Sequence, residues 1–111
     1  MKSLLPTLRE KKRYVAFEII SDRHINQTLV ADVICQGSWQ FMGTLEAAKA
    51  GVQMPKYNPE TMKGVLRVGN KHTDQLKAAL LFINEIGGEQ VIIRSISTSG
   101  MLNKLGKHIA A

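Results

Sequence analysis

The sequence predicts an α+β fold in which helices cover one face of a four-stranded antiparallel sheet. Residues 13–21 alternate apolar and polar side chains, as a half-buried strand does. Residues 73–86 repeat apolar side chains every three or four positions, which is typical of an amphipathic helix. The predicted elements follow the order strand, helix, strand, strand, helix, strand, with an extra C-terminal helix. That order is the split βαβ or ferredoxin-like arrangement, a sandwich of one sheet and one helical layer.

The first strand and the two helices after it are predicted from residues 13–51. One face of the strand is apolar and carries Val15, Phe17 and Ile19. Asp22 or Asn26 can cap the first helix, whose apolar residues recur at helical spacing. Thr44 can cap a short second helix, and Gly51 can end it in the left-handed conformation.

A hairpin, a helix and a last strand are predicted from the second half of the chain. Residues 52–57 and 63–69 read as two strands joined by a turn, and Pro55 marks the first as an edge strand. Thr73 can cap the next helix, which Gly87 and Gly88 are expected to stop. The remaining elements are a strand over residues 90–97 and a helix that opens at Ser99.

One domain is expected, because the chain has 111 residues. A basic arm over residues 1–13 precedes a ferredoxin-like domain over residues 14–111. No run approaches the roughly 18 apolar residues of a membrane-spanning helix, and no signal region follows the basic N-terminus. We therefore expect a cytoplasmic protein that contacts no membrane. Cys35 is the sole cysteine, which excludes an intramolecular disulfide, and we expect its thiol to be buried.

The net charge of +6 is concentrated at the two ends of the chain. Residues 1–13 carry five basic residues against one acidic (+4), residues 98–111 carry two basic residues (+2), and the eight basic and eight acidic residues between them cancel. The first and last strands are neighbours in this topology, so the two ends should form one patch suited to a nucleic-acid backbone. The residues concerned are Arg9, Lys11, Lys12, Arg13, Lys104 and Lys107. The alternative is a solvated, disordered terminus.

Two further phosphate sites are predicted. Arg67 and Arg94 share the outward face of the sheet with Glu18, and they form either a cross-strand ion pair or a contact to phosphate. Ser99 and Gly100 open the C-terminal helix, where free amides and the nearby Lys104 favour an anion, unless they serve only as a cap. Stacking aromatics of an RNA-recognition sheet are missing, with only Tyr14 available.

A protein-binding surface is predicted on the first helical hairpin. Trp39, Phe41 and Met42 exceed what a helix interrupted by glycines needs to pack on a small sheet. Aromatic residues and methionine are enriched at interface cores, although all three side chains could instead belong to the protein core.

No catalytic or metal site is predicted. The three histidines, His24, His72 and His108, lack the spacing that places two metal ligands on one helix face, and they are expected at the surface. The sequence also contains no glycine-rich phosphate loop and no nucleophile elbow.

Four segments occur in order along the chain: residues 5–19, 64–68, 77–80 and 91–100. Together they resemble the ferredoxin-like protein subunit of archaeal ribonuclease P, which has a eukaryotic counterpart. That family usually follows Ser-Gly with threonine, an aliphatic residue, a basic residue and lysine. Here Met101, Leu102, Asn103 and Lys104 stand instead, so the resemblance supports only Ser99, Gly100 and Lys104 as contacts.

The resemblance implies a non-catalytic, RNA-binding role in removal of the 5′ leader from precursor transfer RNA. The RNA subunit and its magnesium ions would perform the hydrolysis, and the chain would bind no cofactor of its own. The implied partners are ribonuclease P RNA, precursor transfer RNA and a barrel-like protein subunit, together with a second copy of the chain in a heterotetramer. Two other classes stay open: a protein-interaction or regulatory module that binds no RNA, and a small enzyme.

Overall fold

The structure is a computed structural model that describes residues 11–100, in which a four-stranded main sheet packs against one layer of helices and a small two-stranded sheet lies beside them. The spatial order of the main sheet is β2–β3–β1–β6, with every neighbouring pair antiparallel. In chain order the elements are β1 (Lys12–Ile20), α1 (Gln27–Met42), α2 (Thr44–Ala50), β2 (Gln53–Asn58), β3 (Lys63–Gly69), a 3-10 turn (Asn70–His72), α3 (Thr73–Phe82), β4 (Glu85–Ile86), β5 (Glu89–Gln90) and β6 (Ile92–Ser99).

The predicted split βαβ sandwich is confirmed. Strand β1 lies in the interior of the sheet, between β3 and β6, and β2 forms an edge, as Pro55 indicated. The predicted C-terminal helix lies outside the described residues, and so does most of the basic arm. Within residues 11–100, no helix is long and apolar enough to cross a membrane.

The core lies between the sheet and the helices. From β1 it takes the three predicted residues, because Val15 and Phe17 are fully buried and Ile19 is only 3% exposed. The helices contribute fully buried side chains in return: Val30, Ile34, Leu76 and Leu80. Burial of each large aliphatic or aromatic side chain stabilises the fold by roughly 1.5–3 kcal/mol.

The helix ends follow the predicted chemistry in part. Asn26 caps α1, since its side-chain oxygen accepts a hydrogen bond from the Leu29 N–H at 2.8 Å. Gly51 ends α2 in the left-handed conformation, as predicted. The predicted caps at Thr44 and Thr73 are wrong, because each residue is already the first of its helix. The Thr73 hydroxyl instead donates to the Asn70 carbonyl in the preceding 3-10 turn.

Helix α3 ends at Phe82, well before the predicted stop at Gly87 and Gly88. Ile83 already has an extended backbone, and the two glycines turn the chain between β4 and β5. Their φ angles of 58° and 87° suit a tight hairpin turn, which favours consecutive residues with positive φ. The apolar repeat continues past the helix because the hairpin also buries Ile86.

Two side chains lie opposite to their predicted environments. Cys35 is exposed, because it follows the core residue Ile34 and a helix rotates by about 100° per residue. Partial burial, together with the nearby Asp32 carboxylate, raises the pKa of its thiol. His72, expected at the surface, is buried where the 3-10 turn packs beside α2.

Gly64 provides a stability test of the sheet. A Cβ atom there would lie 2.8 Å from both Phe17 Cζ and the Lys56 carbonyl oxygen. Because the backbone oxygen cannot move aside cheaply, Gly64→Ala is expected to destabilise the protein by about 1–3 kcal/mol in urea unfolding. In the Gly64→Ala protein, Phe17→Leu should lower the free energy of unfolding by less than it does in the wild type, because the shorter side chain removes part of the clash. A Gly64→Ala protein as stable as the wild type would contradict this packing.

Candidate nucleic-acid interface

The start of β1 and the end of β6, which lead to the two predicted basic ends of the chain, lie side by side at one end of the sheet. Strand β1 begins at Lys12, β6 ends at Ser99, and Tyr14 pairs with Ser99 across the two strands. Gly100 follows β6 and is exposed. Three other members of the predicted patch, Arg9, Lys104 and Lys107, lie outside the described residues.

Lys12 and Arg13 belong to the folded sheet, although the sequence placed them in the basic arm. Strand β1 begins at Lys12 because its pairing with β3 continues through Lys12 opposite Gly69 and Arg13 opposite Val68. The Arg13 Nε donates to the Asn70 side-chain oxygen at 3.0 Å. Asn70 in turn donates its backbone N–H to the Lys11 carbonyl at 2.7 Å. The strand pairing and these hydrogen bonds together fix the backbone of Lys11, Lys12 and Arg13.

The face of the sheet opposite the helices carries the two predicted arginines. The register places Tyr14, Ala16 and Glu18 of β1 on this outer face, with Arg67 opposite Tyr14 and Arg94 opposite Glu18. Ala16 and Val65 are buried at its centre, with Tyr14 packed against them. Arg94 forms an ion pair with Glu18, so the cross-strand pair considered from the sequence exists.

Arg67 differs from Arg94 in its partners. Its Nη1 lies 3.5 Å from the Gln53 side-chain oxygen, which is a long hydrogen bond. Its Nε is buried without a hydrogen-bond partner among the described residues. A guanidinium has five N–H donors, and unsatisfied buried donors carry a free-energy penalty. Because Nε is inaccessible from outside, only the terminal Nη groups of Arg67 can donate to an anionic oxygen.

This face also carries two lysines that were not predicted from the sequence, Lys56 and Lys63. Lys56 lies opposite Val65, and Lys63 lies opposite Glu18, which places both on the outer side of the sheet. The position of Lys63 could have been predicted, because Lys63, Val65 and Arg67 alternate along β3 and so share one face. The Lys56 position depends on the irregular register between β2 and β3, which the sequence does not reveal.

Charge is divided between the two layers of the fold. The strands β1, β2, β3 and β6 contain six basic residues and one acidic residue, a net of +5. The three α-helices contain two basic and three acidic residues, a net of −1. A polyanion is therefore attracted to the sheet and not to the helical layer.

The helical layer instead exposes large apolar side chains. Phe41 of α1 and Phe82 of α3 contact each other with ring centroids 5.3 Å apart, yet Phe82 is 73% exposed. Beside them, a groove of about 400 Å³ is lined by residues that include Gly37, Ala79 and Ile83. Further exposed apolar residues of this layer are Trp39, Leu45 and Leu81. An exposed cluster of this kind is typical of a protein-interaction site.

The three side chains of the predicted protein interface are not equivalent. Trp39 is 52% exposed and Phe41 is 42% exposed, whereas Met42 packs against the core. Leu81 and Phe82 were not predicted to be exposed, because the apolar repeat continues beyond them and only its core-facing stripe indicates a helix face. Their signal was present as an apolar pair on the side of the helix away from Leu76 and Leu80.

The structure contains one buried histidine paired with a carboxylate in the part of the chain that it describes. His72 Nε2 and Glu46 Oε2 lie 2.9 Å apart, and the Lys49 ammonium lies 3.8 Å from the other carboxylate oxygen. The hydrogen bond with His72 lowers the pKa of the Glu46 carboxyl against the opposing effect of desolvation, and Lys49 adds to the lowering. The pair joins α2 to the start of α3. Between residues 11 and 100, no group of three histidine, cysteine, aspartate or glutamate side chains is arranged to hold a metal ion.

Comparison with protein families gives one match across nearly the whole chain. A model described as the Rpp14/Pop5 family matches residues 13–110.

Individual relatives agree with this match and share one name, Ribonuclease P protein component 2. The Pyrococcus abyssi protein is 37% identical over 107 residues, which cover 96% of this chain and 91% of the relative. The Thermococcus gammatolerans protein is 36% identical, over 99% of this chain and 92% of the relative. The Methanocaldococcus jannaschii protein is 34% identical, over 94% of this chain and 76% of the relative.

The fold is also found in a solved structure. A chain of the yeast ribonuclease MRP complex, determined by cryo-EM, superposes with a TM-score of 0.63 at 14% identity. The match covers 85% of this chain and 77% of the yeast chain. At this identity, the likeness shows that the two chains share a fold.

Proposed function

This chain belongs to the Rpp14/Pop5 family, and from that premise we propose that it is an RNA-binding protein subunit of a ribonuclease P. The resemblance seen in the sequence is thereby confirmed at the level of the family. In the proposed role, the chain helps to shape the RNA subunit for removal of the 5′ leader from precursor transfer RNA. The expected location is the cytoplasm.

The family match over residues 13–110 carries this proposal, and the separation of charge supports its RNA-binding part. The cations of the sheet side include Lys12 and Arg13, whose backbone positions are fixed by pairing with β3. Cations whose backbone is already fixed lose less conformational entropy when they bind phosphates than cations on a disordered arm. The sheet side therefore suits the RNA backbone, while base-specific contacts are not required of it.

We expect the protein to bind transcribed ribonuclease P RNA with an affinity that falls as salt rises. Replacing Lys11, Lys12 and Arg13 together by glutamine should weaken binding and flatten that dependence, because these residues contact phosphates. Each lost contact should reduce the slope of log affinity against log salt by about 0.7 to 0.9. Filter binding over a range of potassium chloride concentrations measures both quantities.

The matched control removes two cations of the helical layer, with Lys49→Gln and Lys77→Gln combined. This variant should keep the wild-type slope. If the triple variant keeps the wild-type slope of log affinity against log salt, Lys11, Lys12 and Arg13 do not contact the RNA. Failure of the wild-type protein to bind the RNA at any salt concentration would contradict the RNA-binding role and favour a pure protein-interaction module.

The helical layer is the proposed surface for a protein partner, namely the barrel-like subunit implied by the family resemblance or a second copy of this chain within a heterotetramer. Exposed aromatic side chains supply much of the binding energy in many interfaces. Phe41 and Phe82 line the groove, and Trp39 offers a third exposed aromatic side chain on α1, in a separate pocket beside Cys35. The net negative charge of the helices disfavours RNA on the same surface.

Trp39→Ala is expected to weaken binding of the barrel-like subunit by at least tenfold, because a central interface aromatic contributes about 2 kcal/mol or more. Isothermal titration calorimetry measures the change. Ile92→Ala is the matched control, since Ile92 is a similarly exposed apolar residue on the sheet. A folded Trp39→Ala protein that binds its partner with wild-type affinity would contradict the assignment.

We infer that the chain does not itself cleave RNA, and we assign the magnesium ions of the reaction to the RNA subunit. The Glu46–His72 pair supports a structural reading, because it ties α2 to the 3-10 turn that precedes α3. The Glu46→Gln protein should therefore support precursor processing as well as the wild type does. Magnesium-dependent cleavage by RNA-free protein that survives further purification would overturn the inference.

A further inference from the structure

Three cations form a diagonal line across the outer face of the sheet. In the register of β3, Lys56 of β2 stands opposite Val65, Arg67 follows two residues later, and Lys12 of β1 stands opposite Gly69. Each step along this line advances two residues and crosses to the neighbouring strand. The resulting Cα separation is roughly 8 Å per step, from the dimensions of a β-sheet.

The line ends at the basic end of the sheet. Arg13 follows Lys12 at the same end of the sheet, where its side chain is held by the hydrogen bond to Asn70. The Lys12 ammonium lies 3.4 Å from the position that a Cβ on Gly51 would take, so it reaches toward the segment that joins α2 to β2. The diagonal therefore connects the β2–β3 hairpin with the residues that the sequence singled out as a phosphate site.

The opposite corner of the same face contains a carboxylate. Glu18 forms an ion pair with Arg94 and stands opposite Lys63 on its other side. Strands β2 and β3 contain no acidic residue at all. A polyanion on this face would thus meet uncompensated charge on the diagonal and a carboxylate at the Glu18 corner.

We propose that the backbone of one RNA strand follows the diagonal from Lys56 through Arg67 to Lys12, and that Glu18 keeps Arg94 out of this track by pairing with it. The proposal rests on the RNA-binding role argued above. Lys56 and Lys12 contribute charge, and Arg67 contributes its terminal Nη groups, whose described hydrogen bond to Gln53 is long at 3.5 Å. The ligand is a sugar–phosphate backbone, since the face offers no row of stacking aromatics among its described residues.

The test is the binding of transcribed ribonuclease P RNA, by filter binding, to single variants of the full chain. Lys56→Gln, Arg67→Gln and Lys12→Gln should each reduce the salt slope by about 0.7 to 0.9. Lys77→Gln on α3 is the matched control and should leave the slope unchanged. Because Arg67 is half-buried, thermal melting checks that the Arg67→Gln protein still folds. If it does not fold, the Lys56→Gln and Lys12→Gln proteins still test the proposal.

Variants of Glu18 and Arg94 distinguish binding along this track from a general attraction of RNA to the basic sheet. Arg94→Gln should weaken binding less than Lys56→Gln does, because its charge is already compensated. Glu18→Gln should strengthen binding, and in that background Arg94→Gln should become as costly as a track variant. Equal losses for Arg94→Gln and Lys56→Gln in the wild-type background would overturn the proposed track.

The outcomes distinguish this inference from the proposed function. Salt-dependent RNA binding by the wild type, with all three track variants unaffected, would overturn the track and leave the RNA-binding role intact. Absence of RNA binding by the wild type would overturn both.

Discussion

The antiparallel pairing of β1 with β3 on one side and β6 on the other determines most of what this protein presents to its surroundings. Because side chains alternate along a strand, β1 places Val15 and Phe17 in the core and Tyr14 and Glu18 on the outer face. The same pairing brings the start of β1 beside the end of β6. A slip of one residue would exchange the two faces, burying charge and exposing the core. The core and the basic surface are therefore specified by one register.

The two layers of the sandwich have different chemistry, and this division is the basis for the two kinds of partner proposed above. The strands of the main sheet carry a net charge of +5, while the helices expose aromatic and aliphatic side chains such as Trp39 and Phe82. A subunit of a ribonucleoprotein must contact RNA and protein without one contact blocking the other. Opposite faces of a thin α+β sandwich meet that requirement, because the sheet itself separates the two surfaces.

The sequence was sufficient for the features that depend on local pattern. The strand at residues 13–21 and the left-handed Gly51 followed from alternation and glycine conformation, and Asn26 was one of the two caps that side-chain chemistry offered for α1. It failed where tertiary packing overrides pattern. The apolar repeat after Leu76 belongs partly to α3 and partly to a hairpin, because Ile86 reaches the same core from a different element. Periodicity alone cannot distinguish these cases.

The candidate site was predictable to the extent that it lies at chain ends or on a regular strand. Arg67 and Arg94 were placed on one face because strands alternate, and the structure agrees. Lys56 could not be placed, since a register shift between β2 and β3 decides its opposite residue. The exposure of Phe82 was equally hidden, because it depends on where α3 ends and on the contact with Phe41.

The register also explains how a small sheet tolerates a net charge of +5. Like charges directly opposite each other on neighbouring strands destabilise a sheet. Here Lys56 faces Val65, Arg67 faces Tyr14 and Gln53, and Lys12 faces Gly69, so each of these cations meets neutral partners. The single carboxylate, Glu18, faces two cations at once. The cations are thus offset diagonally, which limits their repulsion in the free protein and at the same time arranges them as a line that a polyanion can follow.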